Sequence, residues 1–98
     1  MDLRGGTKIN LHDAVLERIE VVWEQRVCRL FVRPVSSEHK AMVLKFSGVT
    51  EVHIPCAGPW GPSTSILEVA ESEHSYAITM QSGDFIRINA AELEAEEL

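Results

Sequence analysis

The chain has little of several features that mark specialised classes of protein. Its 98 residues include only two cysteines, four prolines and 6% aromatic residues. The longest uninterrupted apolar run is Ala41-Met42-Val43-Leu44, far shorter than the roughly 18 residues that a membrane span needs. The first eight residues are too polar for a secretory signal. We therefore expect a soluble, cytoplasmic protein that does not act on a membrane.

Positive charge is also scarce. Fifteen acidic residues face nine basic ones, which gives a net charge of −6. Four of the acids, Glu92, Glu94, Glu96 and Glu97, lie in the last seven residues, so residues 1–89 carry eleven acids against nine bases, a net charge of −2. Such a body has no positive excess with which to displace phosphate counterions, which predicts that nucleic acid is not the partner. We interpret the one basic cluster as part of an exposed face whose positive charges are balanced by acidic neighbours; it consists of Arg26, Arg29 and Arg33.

The two cysteines, Cys28 and Cys56, can form at most one disulfide, and nothing places the chain in an oxidising compartment. We interpret both as small apolar thiols, with Cys28 at a buried strand position. His53 and Cys56 have a spacing that a metal could use, but no second pair at ligand spacing accompanies them. No metal and no cofactor is therefore predicted.

A chain of this length supports one hydrophobic core and not a large enclosed catalytic cleft. We expect a single domain over residues 1–98, with an ordered core from about residue 8 to residue 90 and a loose acidic tail over 91–98. Turn signals recur between runs of six to ten residues rich in Val, Ile, Leu and Phe. That spacing predicts an all-β fold, a six- or seven-stranded antiparallel sandwich or open barrel.

Alternation of apolar and polar residues is clearest over residues 76–81 and 84–89, which should form a hairpin with a two-residue loop at Ser82-Gly83. Residues 42–46 and 52–54 also alternate and predict two consecutive strands that meet at Ser47-Gly48. Residues 13–24 fit a helical stripe as well as a strand face, with Glu17 out of place on the strand. The β-rich ending Val21-Val22-Trp23 favours the strand, and the alternative is an α+β fold with a helix at about 13–24.

Three local features are candidates for a binding site. His12 and Asp13 are adjacent titratable residues, although neighbours on a strand face opposite ways and can pair only at a bulge or turn. The loop 55–65 contains three of the four prolines and displays Trp60, followed by Ser63, so that a stiff loop could present an aromatic anchor. Asp84 lies in the polar hairpin loop Gln81-Ser82-Gly83-Asp84. A structural explanation is favoured for each feature: turn chemistry for His12 and Asp13 and for the Asp84 loop, and packing of Trp60 against an open end of the sheets.

The patterns Leu11-His12-Asp13-Ala14, Pro59-Trp60-Gly61-Pro62-Ser63 and Gln81-Ser82-Gly83-Asp84-Phe85-Ile86 resemble a group of small uncharacterised bacterial proteins. The His-Asp-Ala opening before a β-rich body is also similar to some immunity proteins that neutralise polymorphic toxins. The resemblance spans roughly residues 9–89, implies a β-rich fold, and carries no catalytic residue onto this chain.

Three functions remain open from the sequence. The first is a non-enzymatic protein-binding or immunity-type module. The second is a structural β domain that forms a homodimer through an exposed strand edge and the Trp60 loop. The third is a small-ligand or enzyme site in which His12 and Asp13, with His53 or His74, share a cleft beside Trp60. No nucleophile, base and orienting group stand at a recognisable spacing, so the first function is expected and an enzyme is not.

Overall fold

The computed structural model describes residues 11–34, 41–55 and 64–97. These form eight β-strands, and no helix occurs in these ranges, hence none that could cross a membrane. The strands are β1 (Val15–Val22), β2 (Val27–Arg33), β3 (Met42–Ser47), β4 (Glu51–His53), β5 (Ile66–Ser72), β6 (Ser75–Met80), β7 (Phe85–Asn89) and β8 (Glu92–Glu97). The all-β prediction is confirmed, with one strand more than the upper expectation.

Two open antiparallel sheets of four strands make up the fold. The first has the order β1-β2-β3-β8 and the second the order β4-β7-β6-β5. Their inner faces share one core, whose largest fully buried side chains are Phe46, Leu30, Leu44, Ile66, Ile78 and Ile88. The rings of Phe46 and Tyr76, one from each sheet, meet edge to face with centroids 5.1 Å apart. Burial, followed by the nearby Glu71 carboxylate, raises the pKa of Tyr76.

The chain crosses between the sheets twice at one corner, once from β3 to β4 and once from β7 to β8. Because β3 pairs with β8 and β4 pairs with β7, the two crossings run side by side. Gly48 turns the first crossing at φ 65°, and a Cβ on this residue would lie 2.8 Å from the Cβ of Ala91 in the second. Glycine is required here for both reasons. The two strands expected to meet at Ser47-Gly48 do so, but they belong to different sheets.

At the opposite corner the beginnings of β1 and β5 join the sheets. A single bridge links Val15 to Ser65, and the Leu16 amide donates a hydrogen bond to the Thr64 carbonyl over 2.7 Å. Farther along β1, a bulge lies between Leu16 and Arg18. The extra residue explains why Glu17 interrupts the alternation in the sequence. Residues 15–22 are a strand, and the alternative of a helix at about 13–24 is wrong.

The predicted hairpin of β6 and β7 is confirmed, with one difference in its loop. Thr79 pairs with Phe85, the Met80 amide donates to the Asp84 carbonyl over 2.8 Å, and the Gly83 amide donates to the Met80 carbonyl over 3.0 Å. The loop therefore has three residues, Gln81 to Gly83, rather than two. Gly83 supplies the positive φ, at 94°, as expected of a turn followed by a bulge.

The expectation of a loose acidic tail is wrong for Glu92–Glu97, which form β8 and pair with β3 along its whole length. Leu93 is buried and Ala95 packs against the core, whereas Glu92, Glu94 and Glu96 are exposed. This alternation is the signature of a half-buried strand. The acidic residues conceal this alternation in the sequence, because a run of glutamates is more typical of a solvated tail than of a strand.

Cys28 occupies the buried strand position predicted for it, as a free thiol. Burial raises the pKa of this thiol from 9.0 to about 11. A thiol that stays protonated is a poor nucleophile, so Cys28 acts as a small apolar core residue. Cys56 lies outside the described residues.

Candidate functional site

An open groove lies on the outer face of the second sheet, with a cavity volume of about 970 Å³. The strand register builds its centre. Asn89 of β7 stands between Glu51 of β4 and Ser75 of β6, and Arg87 stands between His53 and Ala77. Alternate residues of a strand face opposite ways, so Ile86 and Ile88 enter the core while Arg87 and Asn89 face the groove. Such a site requires only that a half-buried strand carry polar residues on its outer face.

Small residues make up part of the lining of this groove, which we call the sheet-2 groove. Ala77 lies on the sheet face, and Gly48, Ala90 and Ala91 lie at the crossing corner. Phe85 lines one end and is 41% exposed. The remaining lining residues are Thr50, Glu51, Glu73, His74, Ser75, Arg87 and Asn89.

Charged groups of both signs line the sheet-2 groove. Within the described part of the chain, none of Glu51, Glu73 and Arg87 forms an ion pair. The Arg87 guanidinium lies 5.8 Å from the centroid of the Phe85 ring, which leaves its N–H donors available. A guanidinium binds a carboxylate in bidentate fashion, and the two glutamates can bind a cation. The groove can therefore recognise a ligand that carries both charges.

His74 stands at the rim of the groove in a strained backbone conformation, with φ 57°. It belongs to the tight turn between β5 and β6, and its carbonyl accepts a hydrogen bond from the Ala90 amide over 3.0 Å. This bond ties the turn to the corner where the chain crosses between sheets. Positive φ values outside glycine cost of order 1 kcal/mol and cluster at functional sites. The His74 side chain is exposed, and Glu73 directly precedes it in the sequence.

The first candidate pair, His12 and Asp13, lies elsewhere. Residues 11–14 form a turn in which the Ala14 amide donates to the Leu11 carbonyl over 3.0 Å and Asp13 has φ 65°. Because they lie in a turn and not on a strand, the His12 Nδ1 and Asp13 Oδ2 atoms approach to 3.1 Å. Gln81 donates to the other oxygen of Asp13 through its Nε2. The carboxylate thus orients the imidazole and joins two segments that are distant in sequence.

Asp84 is held by the chemistry of its own hairpin loop. The Ser82 hydroxyl donates to Asp84 Oδ2 over 2.9 Å, and the Asp84 amide donates to Ser82 Oγ over 3.3 Å. Ser82 is buried, and this pair stabilises the loop from within. These contacts favour the interpretation of Asp84 as a turn residue over that of a ligand-binding residue.

The structure brings some of the sequence candidates together and separates others. Asp13 and the loop after β6 meet at one corner, and the Gln81 amide donates to the Ser65 carbonyl over 2.9 Å. His74 lies at the other end of β6, roughly 20 Å away at the rise of an extended strand. One cleft therefore does not contain His12, Asp13 and His74. Trp60 and Ser63 lie outside the described residues.

The described residues contain no group of three or more His, Cys, Asp or Glu side chains arranged to hold a metal ion. Among the residues that the structure describes, burial raises the pKa of Cys28 and of Tyr76, and both belong to the core and not to the groove. The side chains of the groove present charged and hydrogen-bonding groups to a ligand.

The sequence prediction missed Arg87, Asn89, Glu51 and Glu73 as site residues. The signal was present, because the alternation that buries Ile86 and Ile88 also directs Arg87 and Asn89 outwards. What the sequence could not show is that Ala77 and the small residues of the crossing corner surround Arg87 and leave a depression. Comparisons with protein-family models, with curated proteins and with solved structures found no match.

Proposed function

We propose that this protein is a non-enzymatic protein-binding module whose recognition surface is the sheet-2 groove. The observation that carries the proposal is the set of charges in this groove without ion pairs in the described part of the chain, in a lining that includes small residues. Charged groups kept out of internal ion pairs remain available to a partner. Small residues in the lining leave room for a side chain of the partner.

The groove fits an exposed loop or extended segment of a partner protein. It is open rather than enclosed, which suits a protruding polypeptide better than a small molecule that must be buried on most sides. A carboxylate on the partner would bind Arg87, and a lysine or arginine would bind Glu51 and Glu73. Phe85 offers an apolar surface at the edge of these contacts, as in a typical interface with charged and aromatic anchors.

The test compares a variant that fills the groove with one that alters the same face outside it. Ala77→Arg places a long cation beside Arg87, while Glu68→Arg introduces the same side chain on β5, outside the groove. Immobilised wild-type protein and both variants are exposed to extract of the source organism. Each retained protein is then purified and its affinity is measured by calorimetry. We expect a partner that binds the wild type and Glu68→Arg and loses at least tenfold in affinity for Ala77→Arg.

Two outcomes would contradict the proposal. In the first, the partner binds both variants with equal affinity. In the second, none of the purified proteins binds the wild type. Circular dichroism of Ala77→Arg checks that the fold is intact. If the variant unfolds, Arg87→Gln, which removes the guanidinium without adding bulk, takes its place.

An immunity-type role is the more specific form of this proposal. It is supported by the resemblance of the motifs and by the small size of the chain, and it requires the bound partner to be a toxin. Identification of the adjacent genes, followed by co-expression with any toxin that they encode, tests it. Rescue by the wild type and by Glu68→Arg, with failure of Ala77→Arg, is the expected result, and growth arrest with the wild type would exclude this role.

A further inference from the structure

His53 and Arg87 stand directly opposite each other on neighbouring strands of the second sheet, β4 and β7. Directly opposed residues project from the same face of a sheet, with their Cβ atoms about 4.5–5.5 Å apart. Because Arg87 lines the sheet-2 groove, His53 lies at the border of this groove, on the edge strand of the sheet. The two side chains can therefore contact the same small group of a ligand.

The row of residues that crosses the second sheet at this level contains no carboxylate. It runs from His53 through Arg87 and Ala77 to Ala70. His53 is exposed, and neither His53 nor Arg87 forms an ion pair with another residue in the part of the chain that the structure describes. An arginine and a histidine side by side, with no acid between them, favour an anion.

The other charged groups near His53 lie to one side of it. Glu51 is on the same face of β4, two residues earlier and so roughly 7 Å away along the strand, and it stands opposite the neutral Asn89. Glu51 also lines a small cavity together with Arg26, from the turn after β1. Among the described strands, β4 pairs only with β7, so Arg87 is the charged residue that faces His53 across a strand pair. An anion beside His53 would thus have two cations next to it and the nearest acid one row away.

We propose that His53 is a specificity-determining residue of the sheet-2 groove, which binds, together with Arg87, the side-chain carboxylate of an aspartate or glutamate on the protein partner. This inference rests on the proposed function and names the residue type that the partner must present. The guanidinium donates two hydrogen bonds to the carboxylate, and an imidazole N–H donates to a remaining lone pair. A phosphate carries close to two negative charges and would be repelled more strongly by Glu51, so a carboxylate fits better.

Participation of His53 makes the binding of a carboxylate depend on pH. Histidine is the side chain that changes its charge between pH 5 and 8, whereas a glutamate of a peptide stays ionised over pH 6–8. Binding should therefore strengthen as the pH falls from 8 to 6. His74 provides a matched control, because it is also exposed and lines the groove, but it belongs to the turn between β5 and β6 and directly follows Glu73.

A pair of peptides tests the proposal by NMR titration of the isotope-labelled protein. The first, acetyl-Gly-Ala-Glu-Ala-Gly-amide, supplies one carboxylate, and the second has glutamine in place of glutamate. We expect saturable shift changes at His53 and Arg87 with the first peptide and none with the second. The affinity of the wild type for the first peptide should be about threefold higher at pH 6 than at pH 8. No shift changes at these residues, or equal changes with both peptides, would overturn the proposal.

Substitutions assign the pH dependence to one histidine. His53→Gln should bind the glutamate peptide at pH 6 no more tightly than the wild type does at pH 8. His53→Lys keeps a cation at both pH values and should retain the higher affinity at pH 8. His74→Gln should behave as the wild type does. PH dependence that persists in His53→Gln, or that disappears in His74→Gln, contradicts the role of His53. The same spectra show whether each variant is folded.

The partner captured from extract separates failure of this inference from failure of the proposed function. If the partner discriminates between Ala77→Arg and Glu68→Arg but binds His53→Gln and the wild type equally at pH 6, the proposed function holds and the role of His53 is refuted. If the partner binds Ala77→Arg and Glu68→Arg equally, the proposed function fails. The carboxylate site would then be supported by the peptide titrations alone.

Discussion

The outer faces of the two sheets use their charges in different ways. On the first sheet Arg29 and Glu20 approach to 3.1 Å, Arg33 and Glu17 to 3.4 Å, and Arg18 and Glu20 to 3.6 Å. On the second sheet Glu51, Glu73 and Arg87 have no ion pair among the described residues. A face whose charges neutralise each other serves solubility and strand pairing, whereas a face whose charges remain available can recognise a partner.

Strand register accounts for part of this difference. On the first sheet a row of directly opposed residues crosses all four strands, Glu20 to Arg29, Arg29 to Lys45 and Lys45 to Glu94. Each cation stands next to at least one carboxylate. On the second sheet the row through Arg87 contains Ala77 and His53 instead. Neither of these neighbours is a carboxylate, so Arg87 has no ion pair within the part of the chain that the structure describes.

Both sheets share one core, so a substitution that destabilises the core should affect both outer faces. We expect this to be the largest effect on the free energy of unfolding. Phe46→Ala removes the largest fully buried side chain and its edge contact with Tyr76. We expect a loss of about 3–5 kcal/mol in the free energy of unfolding, measured by urea denaturation. Lys45→Ala, one residue away on the outer face, is the control and should change stability by less than about 0.5 kcal/mol. Equal losses in the two variants would contradict the assignment of inner and outer faces.

Alkaline pH should weaken the core beneath the first sheet. The pKa of Cys28 is raised from 9.0 to about 11 in the folded protein, so the native state keeps the proton that the unfolded state releases. Stability should therefore be unaffected by this group below pH 9 and fall between pH 9 and 11, by up to about 2–3 kcal/mol. Urea unfolding across this range compares the wild type with Cys28→Ala, in which this part of the decline is absent. Identical slopes for the two proteins would show that the thiol is not buried as described.

The crossing corner supports the sheet-2 groove, so a change there should affect the second sheet's face more than the first. Gly48→Ala adds a Cβ at φ 65° and within 2.8 Å of the Ala91 Cβ. We expect a loss of about 1–3 kcal/mol in thermal or urea unfolding. Adding Ala91→Gly removes the contact but not the backbone strain, and should recover part of the loss. If Ala91→Gly does not restore any of the free energy of unfolding, the whole loss is due to the backbone conformation at position 48.

The smallest expected effects on the free energy of unfolding come from removing one arginine charge on each outer face, and they should differ between the two faces. Arg29→Gln breaks its ion pair with Glu20 and should cost up to about 1 kcal/mol. Arg87→Gln breaks no ion pair within the described residues and should leave the free energy of unfolding within about 0.5 kcal/mol of the wild type. Both are measured by urea denaturation at low salt, where surface ion pairs contribute most. A larger loss for Arg87→Gln than for Arg29→Gln would mean that Arg87 serves the fold.

Much of the fold could be predicted from the sequence, because alternation and turn residues are local signals. The strands of residues 76–80 and 85–89 and the glycine at position 83 follow from period-2 patterning and from turn chemistry. Other features depend on contacts between distant segments. The bulge after Leu16 is marked in the sequence only by Glu17, which interrupts the alternation, and the placement of β3 and β4 in different sheets leaves no clear local mark.

The candidate site was less predictable than the fold, for a physical reason. A groove on a sheet face is made by the residues that surround a charge, and three separate segments of the chain, 48–51, 73–77 and 85–91, contribute to the sheet-2 groove. The sequence drew attention to titratable residues such as His12 and Asp13, which are conspicuous as neighbours. Arg87 is an isolated arginine in the chain, and its importance depends on Ala77 and His53 standing beside it across the strands.

The central claim is that recognition belongs to the second sheet's outer face and not to the first. The most direct measurement is the affinity of the captured partner for the wild type, for Arg87→Gln and for Arg29→Gln, by isothermal titration calorimetry. The same neutralisation is made once on each face. We predict that Arg87→Gln weakens binding by at least about tenfold while Arg29→Gln binds as the wild type does. Binding lost with Arg29→Gln and kept with Arg87→Gln would assign recognition to the first sheet and contradict the account.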